Sequence, residues 1–329
     1  MTRLASLLTL FMLSTLGIAA EVDDFTSRAI PLRDSTAQVN AYINLQIEAA
    51  LKNPTLYEES NYVVISGGLV HMGYTEKKKI NECNKPKLLN LLEYALNTNW
   101  PEVRTKLLRD STVTNNGIRR PAGTIYEGTS AGPLMRIGGC CDPVISVSGK
   151  RVGIDKVDHF LGHGYMYYSK VAKTGKVSDA IQLGLDHERG SWGLAGTGVK
   201  SYADLSANYQ GYLFWKKLVD GPDALIQCVN NKYVLAHKAD ISHFVSDAWD
   251  ETNNCSSYST ETDANKIESR IKKLTGGKLC PLEPEKCAAL KAHYGSLAKD
   301  LLHPQCLDPK NHVNIEEGRS FWSSVWEAF

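Results

Sequence analysis

Eight cysteines that follow an export-like leader restrict the possible folds of this chain more than any other feature of its sequence. The first stretch, MTRLASLLTLFMLSTLGIAA, places Arg3 before an apolar run and ends on Ala19 and Ala20. That is the pattern of a secretory signal peptide spanning residues 1–20, with an uncleaved anchor helix as the alternative. An even number of cysteines in an exported chain predicts disulfide bonds, although the spacing leaves their pairing open. We therefore expect a secreted or periplasmic protein that is cross-linked internally.

Charge and hydropathy exclude two classes of partner. The chain has 37 Lys and Arg residues against 36 Asp and Glu residues, so it lacks the basic field that nucleic-acid binding requires. No segment after the leader is long and apolar enough to span a bilayer. We expect residues 21–250 to form a helical domain that carries the polar site. Residues 251–329 are predicted to form a Cys-rich extension packed on it, after the Asn- and Ser-rich stretch DETNNCSSYSTETDAN.

Periodicity predicts a mainly α fold, a disulfide-stapled helical domain with one short β-hairpin. Apolar residues recur every three to four positions in several windows, and VISVSGKRVGI alternates around a Ser-Gly turn, which is typical of a hairpin. The predicted helices cover 34–54, two segments of 85–110 separated before Pro101, 154–173, 176–190, 201–221, 240–249 and 287–302.

The stretch DKVDHFLGHGYMYY is the first candidate for chemistry. Asp155, His159 and His163 are spaced by four residues, so one face of a helix carries all three. Asp155 could orient His159 as a catalytic base, with His163 contacting substrate. Alternatively, His159 and His163 could bind a metal ion with a third ligand from elsewhere. A purely structural Asp–His pair is the third interpretation. The pattern lacks the Glu of a metalloprotease motif, and the export signal argues against a zinc site built from the cysteines. We therefore assign no metal ligands, and the residues identify no cofactor.

Two later helices supply further polar residues. Glu188 ends the helix in LDHERG, where the helix dipole disfavours ionisation, and a raised pKa suits a general acid. Asp204 follows Ser201 by three residues, a spacing that a capping box explains without chemistry, but it could also be catalytic. Asn208 lies on the same face as Asp204 and could position substrate.

Aromatic residues surround these positions. Tyr202 and Trp192 could stack on sugar rings, although aromatic side chains in such a segment more often belong to the core.

The order of these residues resembles a known signature. Residues 152–215 contain DKxxHF, a later Glu and SxxDLxxNxxG, similar to VanZ-like and YfiM-type envelope proteins and to secreted proteins with TGVxSxADLxANYxG. The resemblance implies that Asp155, His159, Glu188, Asp204 and Asn208 converge; it implies no reaction. VanZ-like proteins are embedded in membranes, whereas this segment is polar and interrupted by glycines.

Three functional hypotheses follow. The first is an exported, envelope-associated hydrolase with glycosidase-like general acid chemistry, acting on a cell-envelope polymer such as cell-wall glycan or on a lipid-linked sugar. DHERGSWGLAGTG followed by ANYQGYLFW has the loose outline of lysozyme-like enzymes, which is an analogy only. The second is a non-catalytic envelope protein whose buried polar cluster fixes helix packing. The third is a metal-binding protein that uses His159 and His163.

Overall fold

The structure is a computed structural model that describes residues 21–66, 69–79, 82–97, 123–129, 141, 143–311 and 314–318. Most of the described residues are helical, which confirms the mainly α class. Within these ranges, no helix has the length and apolar character that crossing a bilayer requires. The predicted helix after Pro101 and the predicted signal peptide lie outside the described residues.

The α-helices follow the predicted periodicity over most of the chain. Their bounds are α1 Thr36–Lys52, α2 Lys85–Asn97, α3 Asp155–Asp158, α4 Gly164–Thr174, α5 Val177–Arg189, α6 Tyr202–Val219, α7 Glu261–Thr275, α8 Pro284–Tyr294, α9 Ala298–Leu301 and α10 Pro304–Leu307. A π-helical turn, His159–His163, joins α3 to α4, and a 3-10 turn, Gly295–Leu297, joins α8 to α9.

Two predictions of local structure were wrong. The window 240–249 forms two 3-10 turns, Ile241–His243 and Asp247–Trp249, because Asp240 and Ser246 each cap a new turn with a side-chain acceptor. Helix α7 begins inside the stretch that we expected to be a loop, where Thr260 accepts a hydrogen bond from the backbone N–H of Asp263. A capping residue therefore decided both outcomes.

The strand content also exceeds the single predicted hairpin. The described residues contain four two-stranded antiparallel pairs: β1 with β2, β3 with β4, β5 with β8, and β6 with β7. The bounds are β1 Thr55–Ser66, β2 Leu69–Lys79, β3 Val144–Val147, β4 Lys150–Gly153, β5 Val199–Ser201, β6 Ile226–Val229, β7 Lys232–Leu235 and β8 Ser256–Tyr258. The predicted hairpin is β3–β4, which turns at Ser148 and Gly149, both with positive φ.

Helix α6 runs through the middle of the main hydrophobic core. Trp215 is fully buried, and its indole Nε1 donates a hydrogen bond to the carbonyl oxygen of Leu161 at 2.8 Å. Phe160 packs against Phe214 with ring centroids 4.8 Å apart. These contacts hold α6 against the π-helical turn, so the polar faces of the two elements have a fixed register.

Disulfide bonds tie the C-terminal third to itself and an early segment to the β6–β7 pair. Cys255 bonds Cys280, and Cys287 bonds Cys306, so both bonds cross-link the C-terminal segment locally. Cys83 bonds Cys228 across 145 residues of sequence. The described part of the chain thus has the cross-links that an exported protein is expected to carry.

Candidate functional site

Two glycines let the helices that carry the site approach closely. A β-carbon on Gly211 of α6 would lie 2.1 Å from the carbonyl oxygen of Phe160 and 2.7 Å from the Cα of Gly164. A β-carbon on Gly164 would in turn lie 2.5 Å from the Cα of Gly211. Only glycine at both positions permits this backbone contact. The crossing brings the π-helical turn onto the polar face of α6, where Asp204 and Asn208 lie.

The ammonium group of Lys156 forms the centre of the site. Its Nζ lies 2.9 Å from Asp155 Oδ2, 2.5 Å from Asp204 Oδ1 and 2.6 Å from Glu251 Oε1, and the lysine side chain is 0% exposed. Burial disfavours the charged form, but the three carboxylates outweigh it and raise the pKa of Lys156 well above its usual value. A buried cation therefore neutralises part of an acidic cluster.

His159 lies at the edge of this cluster with both ring nitrogens engaged. Its Nε2 is 3.3 Å from Oδ2 of Asp204, and its Nδ1 is 2.9 Å from Oδ1 of Asn208. We expected Asp155 to orient this ring, but Asp155 Oδ2 contacts Lys156 instead. Asp204 and Asn208 hold the ring, because both belong to the face of α6 that the glycine crossing presents to it.

Asp204 is stabilised as an anion by the cationic groups around it. Burial disfavours its charge, but His159 and Lys156 outweigh that effect and lower the pKa of Asp204 below its usual value. Its backbone N–H also donates to Ser201 Oγ at 3.3 Å, so the predicted N-terminal cap forms. Asp204 therefore takes part both in the N-terminal cap of α6 and in the contact with Lys156.

Glu188 lies beside Asp204 but has the opposite protonation preference. It is 2% exposed, and its Oε2 accepts a hydrogen bond from the backbone N–H of Ser201 at 3.1 Å. Burial, followed by the charges of Asp204 and Glu21, raises the pKa of Glu188 well above its usual value. The pKa values of Glu188 and Asp204 are therefore displaced in opposite directions, Glu188 by burial and Asp204 by its cationic neighbours.

The glycine-rich loop after α5 encloses the backbone of Glu188. A β-carbon on Gly193 would lie 2.0 Å from the carbonyl oxygen of Glu188, and the N–H of Leu194 donates to that oxygen at 2.8 Å. The loop thus folds directly over the last turn of the helix. The sequence GSWGLAG supplies the glycine that this contact requires.

The segment 250–258 contributes a carboxyl group that the sequence did not identify. Glu251 accepts hydrogen bonds from Lys156 Nζ at 2.6 Å and from Ser201 Oγ at 2.9 Å. Burial raises the pKa of Glu251 to about 7; Lys156 opposes this, whereas Asp204 and Asp155 add to it. We call Asp155, Lys156, His159, Glu188, Ser201, Asp204, Asn208 and Glu251 the polar cluster.

An aromatic group adjoins the polar cluster on the His159 side. The ring of His163 lies 4.4 Å from that of His159 and 4.6 Å from that of Trp192, measured between centroids. His187 stacks on Trp192 at 5.7 Å. Burial, followed by His159 and His187, lowers the pKa of His163 well below its usual value, so this ring is neutral. Trp192 is partly exposed, whereas His163 is buried; we call these rings the aromatic wall.

Tyr202 does not join the other predicted residues. Its hydroxyl donates to Glu316 Oε1 at 2.7 Å and accepts from Lys200 Nζ at 3.0 Å. Its ring packs edge-on against His303. Although Tyr202 is close in sequence to Asp204, its side chain takes part in a separate contact with the C-terminal segment. The proposed contact between Tyr202 and substrate at the polar cluster therefore lacks support.

The polar cluster contains one group of potential metal ligands. Among the described residues, Asp155, His159 and Asp204 offer ligand atoms that all lie within 4.8 Å of one another, and His163 is not part of that group. The ammonium group of Lys156 already contacts two of these three side chains, the carboxylates of Asp155 and Asp204. A lysine cation thus takes the position in which a divalent ion would sit.

The sequence identified five members of the cluster and missed three. The structure brings together Asp155, His159, Glu188, Asp204 and Asn208, with His163 and Trp192 adjacent. Lys156 is part of the DKxxHF motif, but the spacing of the motif did not indicate that its side chain is buried among three carboxylates. Glu251 and the hydroxyl of Ser201 had no sequence signal pointing to this site.

Comparison of the chain with models of protein families, with curated proteins and with solved structures found no match. The resemblance to the VanZ-like signature in residues 152–215 therefore stays a prediction. The chemistry of the polar cluster rests on its own geometry.

Proposed function

We propose that this protein is an exported hydrolase that cleaves cell-wall glycan or a lipid-linked sugar. Glu188 is the general acid in this proposal, and His159 is the base that activates water. One observation carries it: two neighbouring buried carboxyl groups, Glu188 and Asp204, have pKa values displaced in opposite directions. Pairs of titratable groups with separated pKa values are typical of acid–base catalysis.

The cluster is least deeply buried at His159 and Asp204, which supports the role of His159. The side chains of His159 and Asp204 are 10% and 11% exposed, whereas Lys156 and Glu251 are sealed behind them. For His159 to take a proton from water, Asn208 must release Nδ1; Asp204, at Nε2, then stabilises the positive charge on the ring. Asp204 and Asn208 are positioning residues for the base.

The aromatic wall supports a sugar as the substrate. Trp192 and His163 present ring surfaces within 5 Å of each other, next to the base. Substrate sites combine such apolar surfaces with a few fixed polar groups. A glycan ring would contact the face of Trp192 while its scissile bond faces His159.

Purified protein incubated with isolated cell-wall glycan and with lipid-linked oligosaccharide tests this proposal through the release of new reducing ends. Glu188→Gln keeps a neutral group of the same shape and removes only the dissociable proton, so we expect a folded variant with about 10²-fold lower activity. His159→Gln should lose a similar factor.

Two exposed residues provide matched controls. Glu285→Gln and His243→Gln change the same residue types away from the cluster, on exposed parts of the chain. Both should retain wild-type activity. Wild-type activity in Glu188→Gln and His159→Gln, or no release of reducing ends by any of the proteins, would count against the hydrolase.

A second candidate function is structural, and the complete burial of Lys156 favours it. A fully enclosed ion network can specify one arrangement of helices without doing chemistry. Melting temperatures separate the two functions. If His159→Gln and Glu188→Gln both lower the melting temperature by about 5 °C or more and the wild type hydrolyses neither substrate, the structural role is supported.

A further inference from the structure

The first described residues of the chain lie in the interior. Glu21, Val22 and Asp24 are 6%, 0% and 0% exposed. The hydroxyl of Tyr126 donates to the carbonyl oxygen of Val22 at 3.1 Å, and Asp24 Oδ2 accepts from the backbone N–H of Glu251 at 3.0 Å. The residue that follows the predicted cleavage point is therefore packed against the segment that carries Glu251.

Glu21 adds a further carboxyl group to the surroundings of the polar cluster. The charges of Glu251 and Asp204 act on its side chain, and Thr197 hydrogen-bonds to it. Glu21 in turn acts on Glu188. With Asp155, five carboxyl groups thus surround the ammonium group of Lys156, so this part of the interior holds more acidic than basic side chains.

Two buried carboxylate oxygens in or beside this segment lack a hydrogen-bond partner, Asp24 Oδ1 and Asp155 Oδ1. Asp155 Oδ1 is buried and has no partner, although Oδ2 of the same carboxylate contacts Lys156. A β-carbon on Gly153 would lie 2.5 Å from Asp155 Oδ1 and 2.5 Å from a methyl group of Val22. The unpartnered oxygen of Asp155 is therefore adjacent to the residue that follows Glu21.

We propose that cleavage of the bond between Ala20 and Glu21 places a new α-ammonium group in this acidic interior, where it serves as a built-in counter-ion of the polar cluster. Water adds to the peptide bond: the carbonyl carbon of Ala20 gains the oxygen and leaves as a carboxylate, and the nitrogen of Glu21 gains the protons. A peptidase of the export pathway supplies the catalyst. This proposal depends on the predicted leader and is independent of hydrolase activity.

The charge and reach of that group fit the site. An α-amino group has an ordinary pKa of about 7.7–8.0, so it is protonated at neutral pH even before nearby carboxylates favour the ammonium form. Covalent geometry keeps the nitrogen within about 5 Å of the carboxyl carbon of its own residue. Because the Glu21 side chain interacts with Glu251, Asp204 and Glu188, its ammonium group lies within about 5 Å of a carboxyl group of this acidic interior. An intact Ala20–Glu21 bond leaves an uncharged amide there.

The experiment compares two forms of the chain. One is exported and processed, with its first residue determined by mass spectrometry; the other keeps a short Ser- and Gly-containing extension before Glu21. The processed form should melt about 4 °C or more above the extended form at pH 7. Processing at another bond, or equal melting temperatures, overturns the proposal.

A charge-removing variant separates the ammonium from the bulk of the extension. Asp155→Asn in both forms should reduce the difference in melting temperature by at least about half, because one of the charges that the ammonium neutralises is gone. A steric effect of the extension would leave the difference unchanged, and that result would contradict the proposal.

Chemical labelling gives a second readout. In the folded, processed chain the α-amino group of Glu21 should react with an amine-selective acylating reagent at least about tenfold more slowly than in urea, because an opening reaction must precede it. Equal rates in the two conditions would place the group in solvent and overturn the proposal.

Discussion

The Nζ atom of Lys156 lies 2.5 Å from Oδ1 of Asp204, at a place where none of the lysine side chain is exposed. Oδ2 of the same aspartate faces the imidazole of His159 at 3.3 Å. Asp204 therefore links a fully buried lysine to a histidine whose side chain is 10% exposed. The stability of the fold and the proposed proton transfer thus involve the same carboxylate.

Removal of the buried cation should destabilise the fold strongly. Lys156→Met keeps the length of the side chain but leaves Asp155, Asp204 and Glu251 without their shared counter-ion. We expect the free energy of unfolding to fall by about 3–5 kcal/mol, as for other broken buried pairs, measured by urea denaturation. Lys150→Met is the matched control: in the part of the chain that the structure describes, Lys150 pairs with Asp247, and its side chain is 35% exposed, so the loss should stay below about 1 kcal/mol. Similar losses in the two variants would contradict the central role of Lys156.

The buried acids predict how stability depends on pH. Burial raises the pKa of Glu251 to about 7 in the folded chain, whereas the ordinary value is 4.5. The folded state thus binds more protons than the unfolded state between these values, and the free energy of unfolding decreases as pH rises through this range, on the order of 3 kcal/mol. Glu188 acts in the same direction. Asp204, whose pKa is lowered, acts oppositely and loses its contribution as pH falls below its unfolded value.

Urea denaturation at pH 5 and pH 8 tests this dependence. We expect the wild type to be more stable at pH 5, and Glu251→Gln to show a smaller difference between the two conditions. Greater wild-type stability at pH 8, or an equal difference in the variant, would show that these carboxyl groups are not held protonated by the fold.

The crossing of α6 with the π-helical turn should not tolerate a methyl group. In Gly211→Ala the new β-carbon would overlap the carbonyl of Phe160 and the Cα of Gly164, so the helices must separate. We expect a loss of about 2–4 kcal/mol in the free energy of unfolding. Gln182→Ala, on the exposed side of α5, is the control and should change stability by less than about 0.5 kcal/mol. An unchanged stability in Gly211→Ala would mean that the backbone contact is not tight.

Zinc should leave the melting temperature unchanged, because the ammonium of Lys156 occupies the place beside Asp155 and Asp204 that a divalent ion would need. Thermal denaturation of chelator-treated protein with and without zinc checks this. An increase in melting temperature on adding zinc that disappears in His159→Gln would instead support a metal site at Asp155, His159 and Asp204.

Local patterns predicted the helices because each amphipathic window contains enough information for its own element. The spacing of Val39, Ile43 and Ile47 indicated α1, and Ser201 indicated where α6 begins. The convergence of Asp155, His159, Glu188, Asp204 and Asn208 was predicted from a resemblance, since spacing along one helix cannot position a second helix. The glycine at position 211 was the one local signal of a close approach.

The segment around residue 254 shows what the sequence could not reveal. Its Asn and Ser residues are typical of a solvated loop, yet 250–258 is buried. Asn254 Nδ2 donates to the carbonyl oxygen of Leu301 at 3.0 Å, and Asn254 Oδ1 accepts from the N–H of His303 at 2.9 Å. The hydrogen bonds of these polar residues are made by partners far along the chain. The segment therefore has the composition of a loop although it is buried like a core segment. Glu251 was missed for that reason.

Infrared spectroscopy of the folded protein at pH 7 tests the central claim, that Glu188 is protonated while Asp204 is ionised, most directly. The wild type should show the carbonyl stretch of a buried protonated carboxylic acid, and Glu188→Gln should lose part of that band while Asp204→Asn keeps it. A band that is unchanged in Glu188→Gln, or one that is lost in Asp204→Asn, would contradict the account.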